Sequence, residues 1–193
     1  MAVSARAWLR ALGCAAAVLI GSAVPPAAQS APQAPAATPE YQLKAVFLFN
    51  FAQFVSWPAE AFADSAAPLV IGVLGTDPFG AYLDETVRGE AVEGHPLVVR
   101  RFGDLAGIGD CHILFVARDE VTDLPALLRA IEGRSVLTVS DVEGFAGSGG
   151  MIRFVNDRNR IRLRINLEAA RAAHLTLSSK LLRPAEIVRQ GQD

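Results

Sequence analysis

The chain has 193 residues, with 18 Lys and Arg against 20 Asp and Glu, two Cys, and 51% hydrophobic residues. This length suits one domain, and the apolar fraction is too high for a disordered chain. The formal net charge of −2 gives no general attraction to nucleic acid, and two cysteines cannot form the framework of a disulfide-rich scaffold.

The first 31 residues have the pattern of a targeting segment. Arg6 and Arg10 precede an uncharged apolar run over residues 11–24, and mostly small residues complete the segment. This order predicts a secretory signal peptide over residues 1–31, cleaved near its end. An uncleaved anchor is the alternative, but the apolar run is shorter than the roughly 20 residues that span a bilayer.

Cleavage has consequences for the mature protein, which we expect in the periplasm or outside the cell. Residues 32–39, rich in Ala and Pro, predict a flexible leader before a domain over residues 40–190. Loss of Cys14 leaves Cys111 unpaired. Such a cysteine is either buried and inert or open to an intermolecular bridge, and its apolar neighbours favour burial.

The first predicted element is a helix over residues 40–57, because apolar residues recur at helical spacing up to Pro58. Its apolar stripe is so broad that both sides should meet protein, and Lys44, Asn50 and Gln53 argue against membrane insertion. Packing against a sheet and a partner-facing aromatic strip are both open interpretations.

Strands and helices alternate along the middle of the chain. Aliphatic segments predict four strands, at residues 69–74, 96–102, 112–117 and 135–140. Helical stretches at residues 81–88 and 124–132 lie between them. Alternation of this kind predicts an α/β sheet covered on both faces.

The pattern changes after the Gly-rich loop at residues 144–150. Residues 151–155 and 160–165 predict a hairpin, because Ile161, Leu163 and Ile165 alternate with arginines along its second arm. Two helices are predicted to follow. Asn166 caps the one at residues 167–173, and Ser178 or Ser179 caps the one at residues 180–188.

The spacing of the polar and glycine residues shows no motif that is typical of an enzyme or a metal site. Ser148 is not in a nucleophile elbow, and the glycine runs lack the context of a phosphate or dinucleotide loop. Cys111 and His112 are adjacent on a strand and point to opposite faces, so no metal site is expected. Asp77, Asp119 and Asp141 lie near strand ends, as the acidic residues of a receiver domain's phosphoacceptor site do. Such a site also needs a Lys at the end of a late strand, and the sequence has none there. We expect no cofactor.

The hairpin carries an unusual concentration of arginines, which repel one another unless acids or an anionic ligand offset them. The ordinary interpretation is internal pairing with Asp141, Glu143, Asp157 or Glu168. The alternative is a small-anion site, for which the candidates are Arg158, Arg160, Arg162 and Arg171. His174 beside Arg171 could add pH sensitivity.

The ordered segments of the mature chain resemble the YfiR family of periplasmic regulatory proteins. The most extended is KAVFLFNFAQFVSWP at residues 44–58. The others are IGV at 71–73, DPFG at 77–80, CHILF at 111–115, VLTVSD at 136–141, GF at 144–145, GGMI at 149–152, NRI at 159–161, INL at 165–167 and SSKLL at 178–182.

This resemblance implies a single three-layer α/β domain, with a mostly parallel sheet flanked by helices and a C-terminal antiparallel hairpin. It also implies a non-enzymatic regulator that binds the periplasmic domain of an inner-membrane signalling protein, a diguanylate cyclase or a sensor kinase. Repression of a cyclase would lower cyclic-di-GMP and biofilm formation. The resemblance further implies structural disulfides, one of them through the position of Cys111, which this chain cannot form internally.

The candidate partner-binding residues are Phe145, Gly149, Gly150, Leu181 and Leu182. For Phe145 and the two leucines, a place in the core is the competing interpretation. A homodimer is compatible with the sequence, and we expect no membrane-spanning segment after processing.

Overall fold

The structure, a computed structural model, describes residues 37–109, 111–120, 123–158 and 160–192. The predicted signal peptide at residues 1–31 lies outside the described residues, as does most of the leader at residues 32–39. The described residues all belong to one compact unit.

Helices and strands alternate as the sequence indicates. The α-helices are α1 (Pro39–Phe54), α2 (Ala81–Val87), α3 (Leu124–Ala130), α4 (Leu167–Ala172) and α5 (Ser179–Leu182). The strands are β1 (Val55–Ser56), β2 (Leu69–Leu74), β3 (Ala91–Val92), β4 (His95–Phe102), β5 (Ile113–Val116), β6 (Leu137–Ser140), β7 (Ile152–Asp157), β8 (Arg160–Asn166), β9 (Thr176–Leu177) and β10 (Glu186–Val188).

Eight of the described strands form one sheet, in the order β10-β8-β7-β6-β5-β2-β4-β3. Neighbouring strands are parallel from β4 through β7, and β8 is parallel to β10. The pairs β7–β8 and β3–β4 are antiparallel. The predicted α/β class with a mostly parallel sheet is therefore confirmed.

Helices cover both faces of the sheet and create two hydrophobic clusters. The larger one lies under α1 and α2, where Leu48 and Phe51 pack with strand residues such as Ile71 and Phe115. The smaller one lies under α3 and contains Leu127 and Phe145. Both faces are buried, and β2 and β5 accordingly carry no polar side chain, as expected for a parallel sheet, whereas β6 buries Thr138 and Ser140.

Helix α1 follows the prediction for most of its length. Thr38 caps its start by accepting a hydrogen bond from the Tyr41 backbone N–H at 3.5 Å. The predicted helix was too long, however, because Val55 and Ser56 form β1 and pair with β9 in a separate small sheet. Neither short strand was predicted, since two residues carry no periodicity.

The arginine-rich hairpin is confirmed by its register. Arg153 lies opposite Arg164, Val155 opposite Arg162, and Asp157 opposite Arg160. These residues share one face, and Leu163 and Ile165 are buried on the other.

The C-terminal region corrects one prediction. Asn166 caps α4 and Ser178 caps α5, as predicted. The helix predicted over residues 180–188 ends at Leu182, and β10 follows it. Pro184 cannot continue a helix, and the outer edge of β8 offers backbone partners for a parallel strand.

Candidate functional site

Four side chains meet at the edge of the sheet where the parallel strands end, and we call them the α1–β6 cluster. Asp141 directly follows β6, and its Oδ2 accepts hydrogen bonds from Lys44 Nζ at 2.6 Å and Tyr41 Oη at 2.8 Å. Lys44 Nζ also lies 2.6 Å from Glu40 Oε1. Because the Lys44 side chain is 2% exposed and that of Asp141 7% exposed, this ion pair is shielded from water.

Neighbouring groups extend the α1–β6 cluster in two directions. The Lys44 ammonium lies 4.3 Å from the centre of the Tyr41 ring, within the range of a cation–π contact. Asn156 in β7 donates a hydrogen bond to Glu40 Oε2 at 2.8 Å. The cluster therefore connects the first turn of α1 with both β6 and the hairpin.

The protonation states in the cluster follow from these contacts. Burial works to raise the pKa of Asp141, but hydrogen bonds from Lys44 and Tyr41 outweigh it, so the pKa lies below its usual value. Burial, together with the hydrogen bond to Asp141, raises the pKa of Tyr41. The hydrogen bond with Lys44 is the main reason why the pKa of Glu40 is lowered.

This arrangement suits attachment of a helix and not acid–base chemistry. An ammonium held between two carboxylates has no lone pair for nucleophilic attack, and both carboxyl pKa values are lowered where a general acid needs a raised one. We conclude that the α1–β6 cluster holds α1 on the sheet.

The three aspartates that the sequence places near strand ends do share this edge, but different partners engage each of them. Asp77 Oδ2 pairs with Arg101 Nε at 2.9 Å. Asp119 Oδ2 accepts hydrogen bonds from the Thr76 backbone N–H at 3.1 Å and its hydroxyl at 2.6 Å. Asp141 is held by Lys44.

Sequence reasoning missed the importance of Lys44, which it treated as an interruption of an apolar helix. A signal was nevertheless present, because Lys44 precedes the apolar residues Leu48 and Phe51 by four and seven positions and so shares their face. A lysine on the buried face of a helix needs a carboxylate, and Glu40 one turn earlier supplies the first. The second, Asp141, could not be identified without the fold.

The candidate anion-binding arginines are divided between two places. Arg158, Arg160 and Arg162 lie at or near the turn of the hairpin, where Arg162 pairs with Asp157 at 2.8 Å. Arg171 lies in α4, which follows the other end of β8, about 20 Å along the strand at its usual rise. The structure does not bring the four together, and of the acids considered as partners only Asp157 pairs with one of them among the described residues.

Of the candidate partner-binding residues, three lie on the α3 side of the domain. Phe145 is 1% exposed. Its ring covers Gly150 so closely that a Cβ there would lie 2.3 Å from it. Gly149 is partly exposed and borders a groove of about 520 Å³ between α3 and α4. A Cβ on Gly149 would lie 2.8 Å from Leu128.

The two candidate leucines belong to the other hydrophobic cluster. Leu181 is 5% exposed, and Leu182 is half-buried against the residues under α1. The five candidates thus lie on two sides of the sheet, with Gly149 and Leu182 partly accessible. Their role in partner binding stays a prediction.

Cys111 and His112 point to opposite faces, as predicted. The Cys111 side chain lies in the cluster under α3, and burial is the main reason why its thiol pKa is raised to about 12. His112 Nδ1 accepts a hydrogen bond from the Val70 backbone N–H at 3.1 Å, and its Nε2 lies 3.1 Å from the Ala61 carbonyl oxygen. Both ring nitrogens are therefore engaged by backbone.

Within the described ranges, no group of three His, Cys, Asp or Glu side chains is placed to hold a metal ion. In the same part of the chain, no helix has the length and apolar character that crossing a bilayer requires.

A family model described as YfiR/HmsC-like matches residues 41–186, from the first turn of α1 to the first residue of β10. No curated protein matches the chain.

Proposed function

Because the chain belongs to the YfiR/HmsC-like family, we propose that it is a periplasmic regulatory protein that acts by binding another protein. The partner we propose is the periplasmic sensor domain of an inner-membrane diguanylate cyclase. Binding represses the cyclase and so lowers cyclic-di-GMP and biofilm formation. The observation that carries this proposal is the family match, which includes α1 from Tyr41 onward and the strands from β2 to β8, the hairpin among them.

The outer face of α1 supports a role in protein binding. Leu43 is 42% exposed and Val46 37% exposed, which is unusual for large apolar side chains on a well-packed domain. Phe47 and Phe54 are half-buried. They lie on the same side of the helix as Leu43 and Val46, because residues three, four or seven positions apart share a helix face. We call these four residues the α1 stripe.

The α1 stripe has the character of an interface core. The core of a protein interface is enriched in aromatic residues and has a polar rim, and the exposed Gln53 lies at the edge of the stripe, while Asn50 lies within it. The helix beneath it is fixed by the α1–β6 cluster. A partner would therefore meet a preformed surface, which reduces the entropy cost of binding. Helix α5 lies beside this surface, since the Lys180 ammonium is 5.8 Å from the Phe54 ring centre, and we include its half-buried Leu182 in the proposed surface.

Binding alone can carry a signal across a membrane when the partner has two states. A regulator that binds one state of the sensor domain more tightly shifts the population toward it. Coupling energies of about 1–3 kcal/mol are typical and correspond to about 5- to 150-fold changes in population. No reactive group in the regulator is needed.

The first experiment tests export and binding together. The full chain, expressed with a C-terminal tag in its native organism, should be recovered from the periplasm with its first 28 to 31 residues removed, as mass spectrometry can show. The purified mature protein should then bind a diguanylate cyclase sensor domain from the same organism in calorimetry. Cytosolic protein with an intact N-terminus would overturn the proposal, and binding to sensor-kinase domains instead would replace the proposed partner.

The second experiment tests the α1 stripe. Leu43→Glu and Val46→Glu should each weaken binding to the sensor domain at least tenfold, because a charge would be buried in the interface. Ala130→Glu, which adds the same charge at an exposed position of α3 on the opposite face of the sheet, is the matched control and should bind normally. Cellular cyclic-di-GMP should rise in the gene deletion and in the two stripe variants, and not in the control. Unchanged binding by both stripe variants would locate the interface elsewhere.

A further inference from the structure

The order of the sheet reverses between β2 and β5. From β2 the chain continues to β4 on one side, and it then returns to place β5, β6 and β7 on the other side. The helices that follow diverge as well, since α2 packs with the cluster under α1 and α3 packs with the opposite cluster. In open α/β sheets, ligands bind in the crevice that such a reversal opens at the carboxyl ends of the strands.

A crevice of about 520 Å³ lies at this reversal. The ends of the two strands are level, because Leu74 of β2 is the register partner of Val116 of β5. The segments that leave them supply most of the lining, and α1 adds a ring. The lining residues are Tyr41, Thr76, Pro78, Phe115, Ala117, Arg118 and Asp119. The volume is in the range of small-molecule sites.

The two walls of the crevice are joined to each other. The backbone N–H and the hydroxyl of Thr76 both donate to the Asp119 carboxylate. Gly75 permits this close approach, because it has a φ of +85° and a Cβ there would lie 2.7 Å from Asp119 Oδ1. The crevice is therefore preformed and does not depend on closure of a loop.

The crevice lining combines apolar surface with charged side chains. Tyr41 and Pro78 are partly exposed and present apolar surface, whereas Phe115 and Ala117 are themselves buried. Asp119 is already engaged by Thr76, whereas the Arg118 side chain is 74% exposed. Among the described residues, the one ion-pair contact of Arg118 is with Asp141 at 3.8 Å, which is longer than a hydrogen bond. Its guanidinium thus offers donors to an additional anion, and arginine is well suited to bidentate binding of a carboxylate.

We propose that this crevice binds a small organic anion with a flat apolar body and one carboxylate. The body lies against Tyr41 and Pro78, and the carboxylate meets the Arg118 guanidinium. This site is separate from the α1 stripe and from the arginines of the hairpin, and the inference does not rest on the proposed function.

The test uses phenylacetate as the probe, with phenylacetamide as its neutral analogue, 2-phenylethylamine as its cationic analogue and acetate as the carboxylate without a ring. Binding to the mature protein is followed by NMR titration of assigned backbone amides. Phenylacetate should bind at least tenfold tighter than the other three and should shift the amides of Thr76, Ala117 and Arg118. Arg118→Ala should weaken phenylacetate binding at least tenfold, and Arg183→Ala, which removes another exposed arginine, should leave it unchanged.

Several outcomes would overturn the proposal. Equal affinity for phenylacetate and phenylacetamide would remove the role of charge, and equal affinity for acetate would remove the role of the apolar walls. Shifts confined to other parts of the domain, or binding that is insensitive to Arg118→Ala, would place the site elsewhere. An unchanged thermal midpoint of Arg118→Ala verifies that a loss of binding is not a loss of fold.

Discussion

Lys44 is a buried charged residue through which α1 is attached to the sheet. Its side chain is 2% exposed, and burial of an ammonium without a partner would cost several kcal/mol. The carboxylates of Glu40 and Asp141 compensate for that cost, and the Tyr41 ring adds a favourable contact. Removing one member of the Lys44–Asp141 pair should therefore cost more stability than the intact pair contributes.

We predict that Lys44→Met lowers the free energy of unfolding by about 3–5 kcal/mol, because Asp141 is left buried and uncompensated. Urea denaturation measures the change. The double variant Lys44→Met/Asp141→Asn should recover part of the loss, since no buried charge remains. If Asp141→Asn costs as much stability in the Lys44→Met background as it does alone, the two residues are not coupled.

Cys111 should be chemically inert in the folded protein. Its side chain is buried, and burial raises the pKa of its thiol to about 12, so the thiolate is scarce at neutral pH. In the mature protein, where Cys111 carries the remaining thiol, we expect it to react with a thiol reagent about a hundredfold more slowly in the native state than in guanidinium. Rapid native labelling, or a disulfide-linked dimer without denaturant, would contradict this.

At the scale of elements, the loop before β7 depends on a close contact between Phe145 and Gly150. Phe145 fills the cluster under α3, and its ring occupies the space that a side chain at residue 150 would need. The glycine at this position is therefore explained by packing, whatever its role in partner binding.

We predict that Gly150→Ala lowers the free energy of unfolding by about 1–3 kcal/mol, as overpacking in a well-filled core does. In a Phe145→Ala background the same substitution should cost much less, because the ring it collides with is absent. Gly133→Ala is the steric control, since no atom lies within 4 Å of its Cβ position, although its φ of +74° gives it a backbone cost of its own. Additive effects of Gly150→Ala and Phe145→Ala in chemical denaturation would contradict the contact.

Strand β10 protects the edge of the sheet. It pairs with residues 164–166 of β8, buries Val188, and places Glu186 Oε2 3.0 Å from Arg164 Nε. Without it, the backbone of β8 would be open to pairing with another chain.

A chain that ends at Ala185 should therefore self-associate, and a chain that ends at Gly191 should not. Gel filtration with light scattering measures the difference over a range of concentrations. The longer truncation keeps β10 and the hydrogen bond from the Gly191 backbone N–H to the Gly147 carbonyl, so it controls for the loss of the terminus itself. Equal masses for the two chains would show that β10 is not needed to block edge pairing.

For the whole molecule, acid should be destabilising. Several carboxyl groups have a pKa below its usual value in the folded state, namely those of Glu40, Asp84, Asp119 and Asp141. A carboxyl whose pKa is lowered by folding stabilises the protein above its unfolded-state pKa, and this contribution is lost as the pH falls through the folded-state value.

We predict that the free energy of unfolding is nearly constant just above pH 5 and falls steadily below about pH 4, where the usual pKa values of Asp and Glu lie. Urea denaturation between pH 2.5 and 7 measures it. The Lys44→Met/Asp141→Asn variant should show a shallower decline, because Asp141 no longer titrates and Glu40 loses the lysine that lowers its pKa. An identical slope in both proteins would exclude Asp141 as a contributor.

Much of the fold could be predicted from the sequence because the relevant signals are local. The run at residues 69–74 is aliphatic at nearly every position, as a strand buried on both faces must be, and it forms β2 without a shift of boundary. The alternation of arginines with Ile161 and Leu163 predicts one buried face of the hairpin, which the register confirms. Asn166 caps α4 because its side chain reaches a backbone N–H three residues later.

The candidate sites were less predictable, because they depend on contacts between distant residues. The sequence by itself determined the α/β class, the order of the longer helices and strands from α1 to α4 and the burial of Cys111, since residue periodicity and apolar runs are read within one segment. Only the tertiary structure decided that residues 186–188 form a strand, that Lys44 meets a carboxylate 97 positions away, and that Arg118 borders a crevice with Tyr41. These outcomes follow from which strand edges and loop ends the sheet order places side by side, and that order is a property of the whole chain.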